Sequence, residues 1–400
     1  MISVRTTLTA ALVAGLFAGT AGAQLRSHGM PDTLNNFGYP STYTDQAGVS
    51  TVFGWDPTDP LLPAMGEVPF LDDPGAPLSV ETGNFFHEIF YWLGGANMVT
   101  PAGGDAILVM AVEGVWDNAA EAIIDGDQLV FSRIRLRIDV PNLPTSIGTY
   151  TIEHPFGTET FEIDQAILTE TDGRRAINWT NDCLHLDPAN PSCGTVMGNQ
   201  FQNIVDPNIA SISHYLRWDP AVEPQAPAGY LGDLITPHAI IGSPIGQNHF
   251  RITGPAFDDV GGLETDQFII SGKLGTPDII QSVGFGELGT TGVPNLAATG
   301  DMTTGAPFSL DLRSAAPNTM STLFVSFSQA NLPFQGGTLV PNPAQGFRLP
   351  GVTDGNGDLT MTGNFPGAPP GTRLYLQWFV NDLTATGGSA GSNSLQIAVP

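Results

Sequence analysis

Apolar and polar positions alternate along several short segments of this chain. In residues 129–140, Val130, Ile134, Leu136 and Ile138 share one side of a two-residue period with Ser132 among them, which is the period of a β-strand with one buried face. Arg133, Arg135 and Arg137 share the opposite face of that predicted strand. Residues 106–112 form a continuous apolar run, which is typical of a short strand buried on both faces. The pattern predicts strands in this part of the chain.

The C-terminal part of the chain repeats short apolar segments separated by Gly, Pro and Asn. The spacing of roughly 10 to 20 residues is typical of an antiparallel sandwich. Residues 85–93 fit either a helix or a strand, and we favour a strand because the neighbouring segments are β. The C-terminal segments are residues 308–312, 322–327, 359–362, 373–380 and 394–399.

Composition strengthens the β prediction. The 400 residues include 48 Gly and 33 Pro, and glycine favours turns whereas proline interrupts helices. Only 13% of residues are charged, which is low for a protein with long solvent-facing helices. We therefore expect an all-β fold of two or three antiparallel, Ig-like β-sandwich modules with long Gly/Pro-rich loops and helix below about 15%.

The same features divide the chain into four regions. Residues 1–23 are predicted to be a signal peptide, and residues 24–80 an extended Pro/Asp-rich leader. Residues 81–276 form a β-rich part of one or more domains, and residues 277–400 a C-terminal β-sandwich.

The predicted signal peptide has a basic residue, Arg5, an apolar run over residues 8–17 and small residues at 21–23 before Gln24. We therefore expect a secreted protein, extracellular or periplasmic. Export to an oxidising compartment makes a disulfide between Cys183 and Cys193 the default for the loop 183–193. A redox or metal role for the two cysteines is the alternative.

Charge limits the expected partners. The net charge of −26 disfavours binding to nucleic acids and anionic membrane surfaces, and suits neutral or cationic partners, divalent cations included. No run after the predicted signal peptide reaches the roughly 20 apolar residues that a membrane span needs. We expect no membrane insertion and an extracellular polymer or cell-surface component as the partner.

One short motif has the spacing of a metal site. Asp354, Asn356 and Asp358 are two residues apart, as in the first half of a calcium loop. The glutamate expected at the twelfth loop position is replaced by Phe365. Because Asn-Gly is typical of a tight turn, we favour a plain turn and expect no cofactor, with Ca²⁺ binding as the alternative.

Aromatic and polar residues are concentrated in residues 212–255. Such rings with a few directional polar groups are typical of surfaces that bind sugars or peptides. We favour the alternative, in which the rings close a joint between two β domains. The candidate ligand-binding residues are Tyr215, Arg217, Trp218, Tyr230, Asp233 and His238.

Parts of this region resemble uncharacterised exported proteins of environmental bacteria. The similar parts are the Gly-Tyr-Leu-Gly-Asp turn at 229–233, the loop 236–244 and the Phe-Arg-Ile-Thr-Gly-Pro strand at 250–255. The end of the chain, residues 374–382 and 392–397, resembles the terminal hairpin of another module of such proteins. The resemblance implies export and a modular β-sandwich architecture, and it carries no known activity.

Two functions follow as hypotheses. The first is a secreted non-catalytic protein, a surface, matrix or glycan/peptide-binding β module. The second is a secreted hydrolase or lyase on a β scaffold with its site in the loops 212–255. We favour the first, because no motif with the spacing of a catalytic site stands out. Clustering of His214, Asp233 and His238 in one pocket would favour the second.

Overall fold

A computed structural model describes residues 25–30, 39–52, 88–116, 128–183, 195–196, 202–203 and 212–400. Strands make up 51% of the structure and helices 5%, which confirms the all-β prediction. The strands that the structure describes pair antiparallel in five sheets. The predicted signal peptide, Cys193 and residues 53–87 lie outside the described residues, so the cleavage site and the disulfide stay predictions.

The elements fall into an N-terminal and a C-terminal series. The first is β1 (Ser27–Gly29), β2 (Thr42–Thr44), β3 (Ser50–Val52), β4 (Glu88–Val99), β5 (Asp105–Trp116), β6 (Gln128–Ile138), β7 (Gly148–His154), β8 (Gly157–Ile163), α1 (Gln165–Thr171), β9 (Ile177–Cys183), β10 (Thr195–Val196), β11 (Gln202–Asn203), β12 (Arg217–Trp218), β13 (His238–Ile241), β14 (Phe250–Thr253), β15 (Leu263–Thr265) and β16 (Gln267–Ser271). The second is β17 (Ile280–Gly284), β18 (Asn295–Thr299), β19 (Pro307–Arg313), β20 (Met320–Ser326), β21 (Gln329–Phe334), β22 (Gly337–Pro341), β23 (Gly346–Val352), β24 (Leu359–Asn364), β25 (Arg373–Asn381), β26 (Ser389–Gly391) and β27 (Ser394–Ala398). Two short 3₁₀ turns cover Pro144–Ser146 and Asp258–Val260.

The N-terminal sandwich is built on a nine-stranded sheet, here called the N-sheet. Its order is β11-β10-β6-β5-β4-β16-β13-β12, with β9 also paired to β6. A four-stranded sheet, β15-β14-β7-β8, packs on one face. The alternation in β6 buries Ile134 and Leu136 against this core, where Tyr150 and Phe250 of the smaller sheet meet them.

The C-terminal sandwich is built on a second nine-stranded sheet, here called the C-sheet. Its order is β23-β20-β25-β27-β17-β1-β2-β3, with β26 paired to β25. The three-stranded sheet β18-β19-β24 packs on one face, and Leu312 meets Leu323, Trp378 and Leu395 in that core. The hairpin β21-β22 packs on the opposite face of the C-sheet.

The described part of the predicted leader belongs to both sandwiches. In the C-sheet, β1 pairs with β17, so that His28 lies opposite Ser282. In the N-terminal core, Tyr39 is buried, and the Tyr91 hydroxyl donates a 2.6 Å hydrogen bond to the carbonyl of Pro40. The predicted domain boundary at 276/277 lies between β16, the last strand of the N-sheet, and β17.

Among the residues that the structure covers, no helix is both long and apolar enough to cross a membrane.

Candidate functional site

The aromatic rings proposed as a binding platform are buried. Trp218 is 4% exposed, Tyr230 5% and Tyr215 0%. The His238 ring stacks on Trp218 with centroids 4.4 Å apart and planes inclined by 10°. Because Trp218 lies opposite Ile240 in the β12-β13 pair, it faces the core of the sandwich. The buried rings do not form an exposed binding platform, and Tyr215 and Trp218 belong to the N-terminal core.

The polar residues of the same region have separate structural partners. Asp233 accepts hydrogen bonds from the backbone N–H groups of Ile235 (2.8 Å) and Thr236 (2.6 Å), so that it holds its own turn. The His238 ring bonds the carbonyl of Ala239 at 2.7 Å, and His214 Nδ1 lies 2.9 Å from Ser213 Oγ. His214, Asp233 and His238 each bind a different neighbour, so the cluster that would favour the hydrolase or lyase hypothesis is not assembled by these contacts.

The predicted metal-spacing motif forms a turn. Asp354 Oδ1 accepts hydrogen bonds from the backbone N–H groups of Asp358 (2.9 Å) and Asn356 (2.8 Å), which lower the pKa of Asp354. Asp358 Oδ2 accepts a 2.8 Å hydrogen bond from Arg313. The turn joins β23, which pairs with β20, to β24, which pairs with β19, so it connects two sheets rather than closing a hairpin. Within the described ranges, no group of three or more His, Cys, Asp or Glu side chains is placed to hold a metal ion.

The outer face of the N-sheet, opposite its core, presents a different arrangement. Residues directly opposite one another in paired strands share a face, so the register of the sheet defines rows across it. One row runs Ile269, Gly95, Val109, Arg135 and Thr180, across β16, β4, β5, β6 and β9. The next row of the same face runs Asn97, Ile107, Arg137 and Asn178.

A groove of about 220 Å³ lies on this outer face, above Gly95. Its walls are apolar, formed mainly by Ile107, Val109 and Ile269, and it exists because Gly95 has no side chain between them. Its polar lining includes the exposed residues Asn97 and Gln267, and the Gln267 amide donates a 2.7 Å hydrogen bond to Asp266. We call this feature the outer groove.

The arginines of β6 flank the outer groove. Arg133 is held by an ion pair to buried Glu113 (3.0 Å) and lies over the Phe131 ring. Arg135 Nε donates a 3.4 Å hydrogen bond to Thr180 Oγ1, and Arg137 Nε is buried with no hydrogen-bond partner in the described structure.

The surroundings of Arg137 disfavour the charged form of its guanidinium group. Its pKa is lowered, first by desolvation and then by the like charges of Arg135, Arg175 and Arg133. As far as the structure describes the chain, neither Arg135 nor Arg137 has a carboxylate within ion-pair distance. We call Arg135 and Arg137 the arginine strip.

Sequence reasoning missed the outer groove. It placed Arg133, Arg135 and Arg137 on one face, but it could not show what lies beside them. Ile269 and Gly95 become neighbours only through the pairing of β16 with β4, and these strands are far apart in the sequence. The Gly94-Gly95 pair inside an aromatic strand was the available signal, because glycine in a strand often marks a close approach or an open space.

No protein-family model and no curated protein matches the chain. Among solved structures, the tetra-tandem repeat in the extending region of a large adhesion protein is similar at 10% sequence identity. The match covers 78% of this chain and 67% of that chain, with a TM-score of 0.18. A TM-score this low supports no conclusion about fold, activity or partners. The resemblance to uncharacterised exported proteins stays a prediction.

Proposed function

We propose that the protein is a secreted, non-catalytic module that binds an extracellular polysaccharide in the outer groove. The observation that carries this proposal is the groove itself, an apolar trough on the open face of a sheet with amide side chains at its rim. Secretion rests on the N-terminal sequence pattern. The proposal keeps the function predicted from the sequence and moves its site from residues 212–255 to the outer face of the N-sheet.

The lining of the outer groove suits a sugar. Ile107, Val109 and Ile269 offer an apolar surface for the C–H face of a pyranose ring, and Asn97 and Gln267 offer amides for its hydroxyls. Small-molecule sites commonly combine mostly apolar walls with a few directional polar groups.

The position of the groove makes it a preformed site. Its walls come from β4, β5 and β16, three adjacent central strands of the N-sheet. Their opposite faces are fixed in the core by residues such as Leu108 and Ile270, so the groove is held in shape before any ligand arrives. Rigidity of this kind reduces the entropy that binding costs.

The test is to block the outer groove and measure binding to immobilised polysaccharides, neutral and acidic. In Asn97→Trp, an indole placed at an exposed strand position would cover the groove. We expect the wild type to bind at least one polysaccharide and Asn97→Trp to lose about tenfold or more in affinity.

The matched control is Thr362→Trp, at an exposed position of β24 in the C-terminal sandwich, which should bind like the wild type. Both variants should keep a melting temperature within a few degrees of the wild type. Equal binding by wild type and Asn97→Trp, or no binding by the wild type to any polysaccharide, would contradict the proposal.

A further inference from the structure

We propose that the ligand of the outer groove is an acidic polysaccharide, one whose sugars bear carboxylates, and that Arg135 and Arg137 bind those carboxylates. The inference rests on the proposed function, and it adds the chemical class of the ligand. It is carried by the placement of the arginine strip and by the absence of a carboxylate partner for Arg135 and Arg137 among the described residues.

Placement brings the arginines to one side of the groove on the same face. Val109 and Ile107, which form its wall, lie directly opposite Arg135 and Arg137 in the β5-β6 pair. Adjacent strands are about 4.8 Å apart, and residues two apart on a strand are separated by about 6.7 Å. A sugar lying in the groove therefore has the two guanidinium groups within reach of its substituents.

The charge state of these arginines favours an anion. Arg133, on the same strand, already has the Glu113 carboxylate as its partner, whereas Arg135 and Arg137 have none among the described residues. Burial and the neighbouring guanidinium groups make the charge of Arg137 costly, and its buried Nε lacks an acceptor. A bound carboxylate supplies both the opposite charge and the acceptor, commonly in a two-point contact.

The rest of the face favours an acidic sugar over a nucleic acid. The residues that line the groove include no aromatic ring on which a nucleobase could stack. The strip offers few cations, and the adjoining Asn178, Thr180 and Asn97 offer uncharged hydrogen-bonding groups at exposed positions. Carboxylates on a short, hydroxyl-rich oligosaccharide match that mixture.

The experiment compares tetragalacturonate with the neutral tetrasaccharide of galactose by calorimetric titration of the full chain. We expect the wild type to bind the acidic oligosaccharide at least about tenfold more tightly, with the preference reduced in high salt. The double variant Arg135→Gln/Arg137→Gln should lose about tenfold or more in affinity for tetragalacturonate and keep its affinity for the neutral sugar.

The control is Arg348→Gln/Arg373→Gln, which removes the same charge from exposed positions of the C-terminal sandwich. It should leave both affinities unchanged. If the wild type binds both oligosaccharides equally and Asn97→Trp blocks both, the acidic-ligand inference is overturned and the proposed function stands. If Asn97→Trp does not reduce binding of either sugar, the proposed function itself fails. The inference is also overturned if an oligothymidylate of equal charge competes as effectively as tetragalacturonate itself.

Discussion

The two nine-stranded sheets of this molecule differ in the face that is turned away from the sandwich core. Each sheet packs one face on a sandwich core, and each leaves a second face to be covered or exposed. On the C-sheet the hairpin β21-β22 covers part of that face. The ring of Phe334 in the hairpin packs edge to face against Phe324 and Phe379, with ring centroids 5.5 and 4.8 Å apart. On the N-sheet the corresponding face carries the outer groove and the arginine strip.

The covered face of the C-sheet contains a buried polar side chain whose hydrogen bonds are all satisfied. Gln377 is fully buried, and its Oε1 accepts a 2.9 Å hydrogen bond from the backbone N–H of Val340. Its Nε2 lies 3.1–3.2 Å from the carbonyls of Phe285, Thr338 and Ser392. Every polar atom of this side chain has a partner, as burial requires.

The outer face of the N-sheet, as far as the structure describes the chain, shows the opposite pattern. A solvent-facing sheet surface is ordinarily polar, whereas the centre of this one holds the half-buried side chains of Ile107, Val109 and Ile269. Beside them Arg137 has a buried, unsatisfied Nε within the described structure. Among the described residues, the hairpin covers part of the second face of the C-sheet, whereas the outer face of the N-sheet keeps a half-buried apolar groove beside the arginine strip.

The largest effect is expected at the covered face, in Gln377→Leu. Leucine leaves the buried N–H of Val340 and three nearby carbonyls without this amide. We expect a loss of about 1–3 kcal/mol in the free energy of unfolding, measured by urea denaturation.

The matched variant is Gln267→Leu on the open face, where the amide is exposed and bonds the side chain of Asp266. This substitution should lower the free energy of unfolding by no more than about 0.5 kcal/mol. Equal losses for the two variants would show that the two faces do not differ in burial as the structure has them.

A smaller, pH-dependent effect is expected at Glu287, beside the hairpin. Its carboxyl lies against Gly337, Oε1 is buried without a partner among the described residues, and burial raises its pKa from 4.5 to about 7. A raised carboxyl pKa means that the folded state binds the proton more tightly than the unfolded state does. This contribution to stability is complete below pH 4.5 and is lost as the pH rises through 7.

Glu287→Gln removes that dependence while keeping the shape of the side chain. We expect similar melting temperatures for variant and wild type near pH 4, and a higher melting temperature for the variant at pH 8. Taking the difference between the two proteins cancels other groups, such as buried His28, whose pKa burial lowers to about 4. A melting difference that stays constant from pH 4 to pH 8 would show that the Glu287 carboxyl is not buried by the hairpin.

The sequence was sufficient for the strands and insufficient for the site. The alternation in residues 129–140 predicted β6 and put three arginines on one face, because the period of a strand is local. Which face is buried depends on the partner sheets. Trp218 and Arg217 are neighbours on β12 and lie on opposite faces, and the pairing with β13, which sets Trp218 opposite Ile240 of the core, decides that the ring is buried.

Two other features of the fold were not predicted in full. The Asn-Gly turn at 356–357 was predicted correctly as a turn, but the strands on its two sides belong to different sheets, which local turn chemistry does not reveal. The helix α1 was not predicted, although Asp164 accepts a hydrogen bond from the N–H of Ile167 as an N-cap, a signal that was present in the sequence.

Binding on the outer face of the N-sheet is tested most directly by NMR. The isoleucine Cδ1 methyl resonances are recorded while tetragalacturonate is added to the protein. Ile107 and Ile269 line the outer groove, whereas Ile280 and Ile397 lie in the core of the C-terminal sandwich. We predict that the Ile107 and Ile269 methyl signals shift with the same saturation curve and that those of Ile280 and Ile397 stay in place. Saturable shifts confined to the C-terminal sandwich, or unchanged Ile107 and Ile269 signals at a saturating ligand concentration, would contradict the assignment of the outer face of the N-sheet as the binding surface.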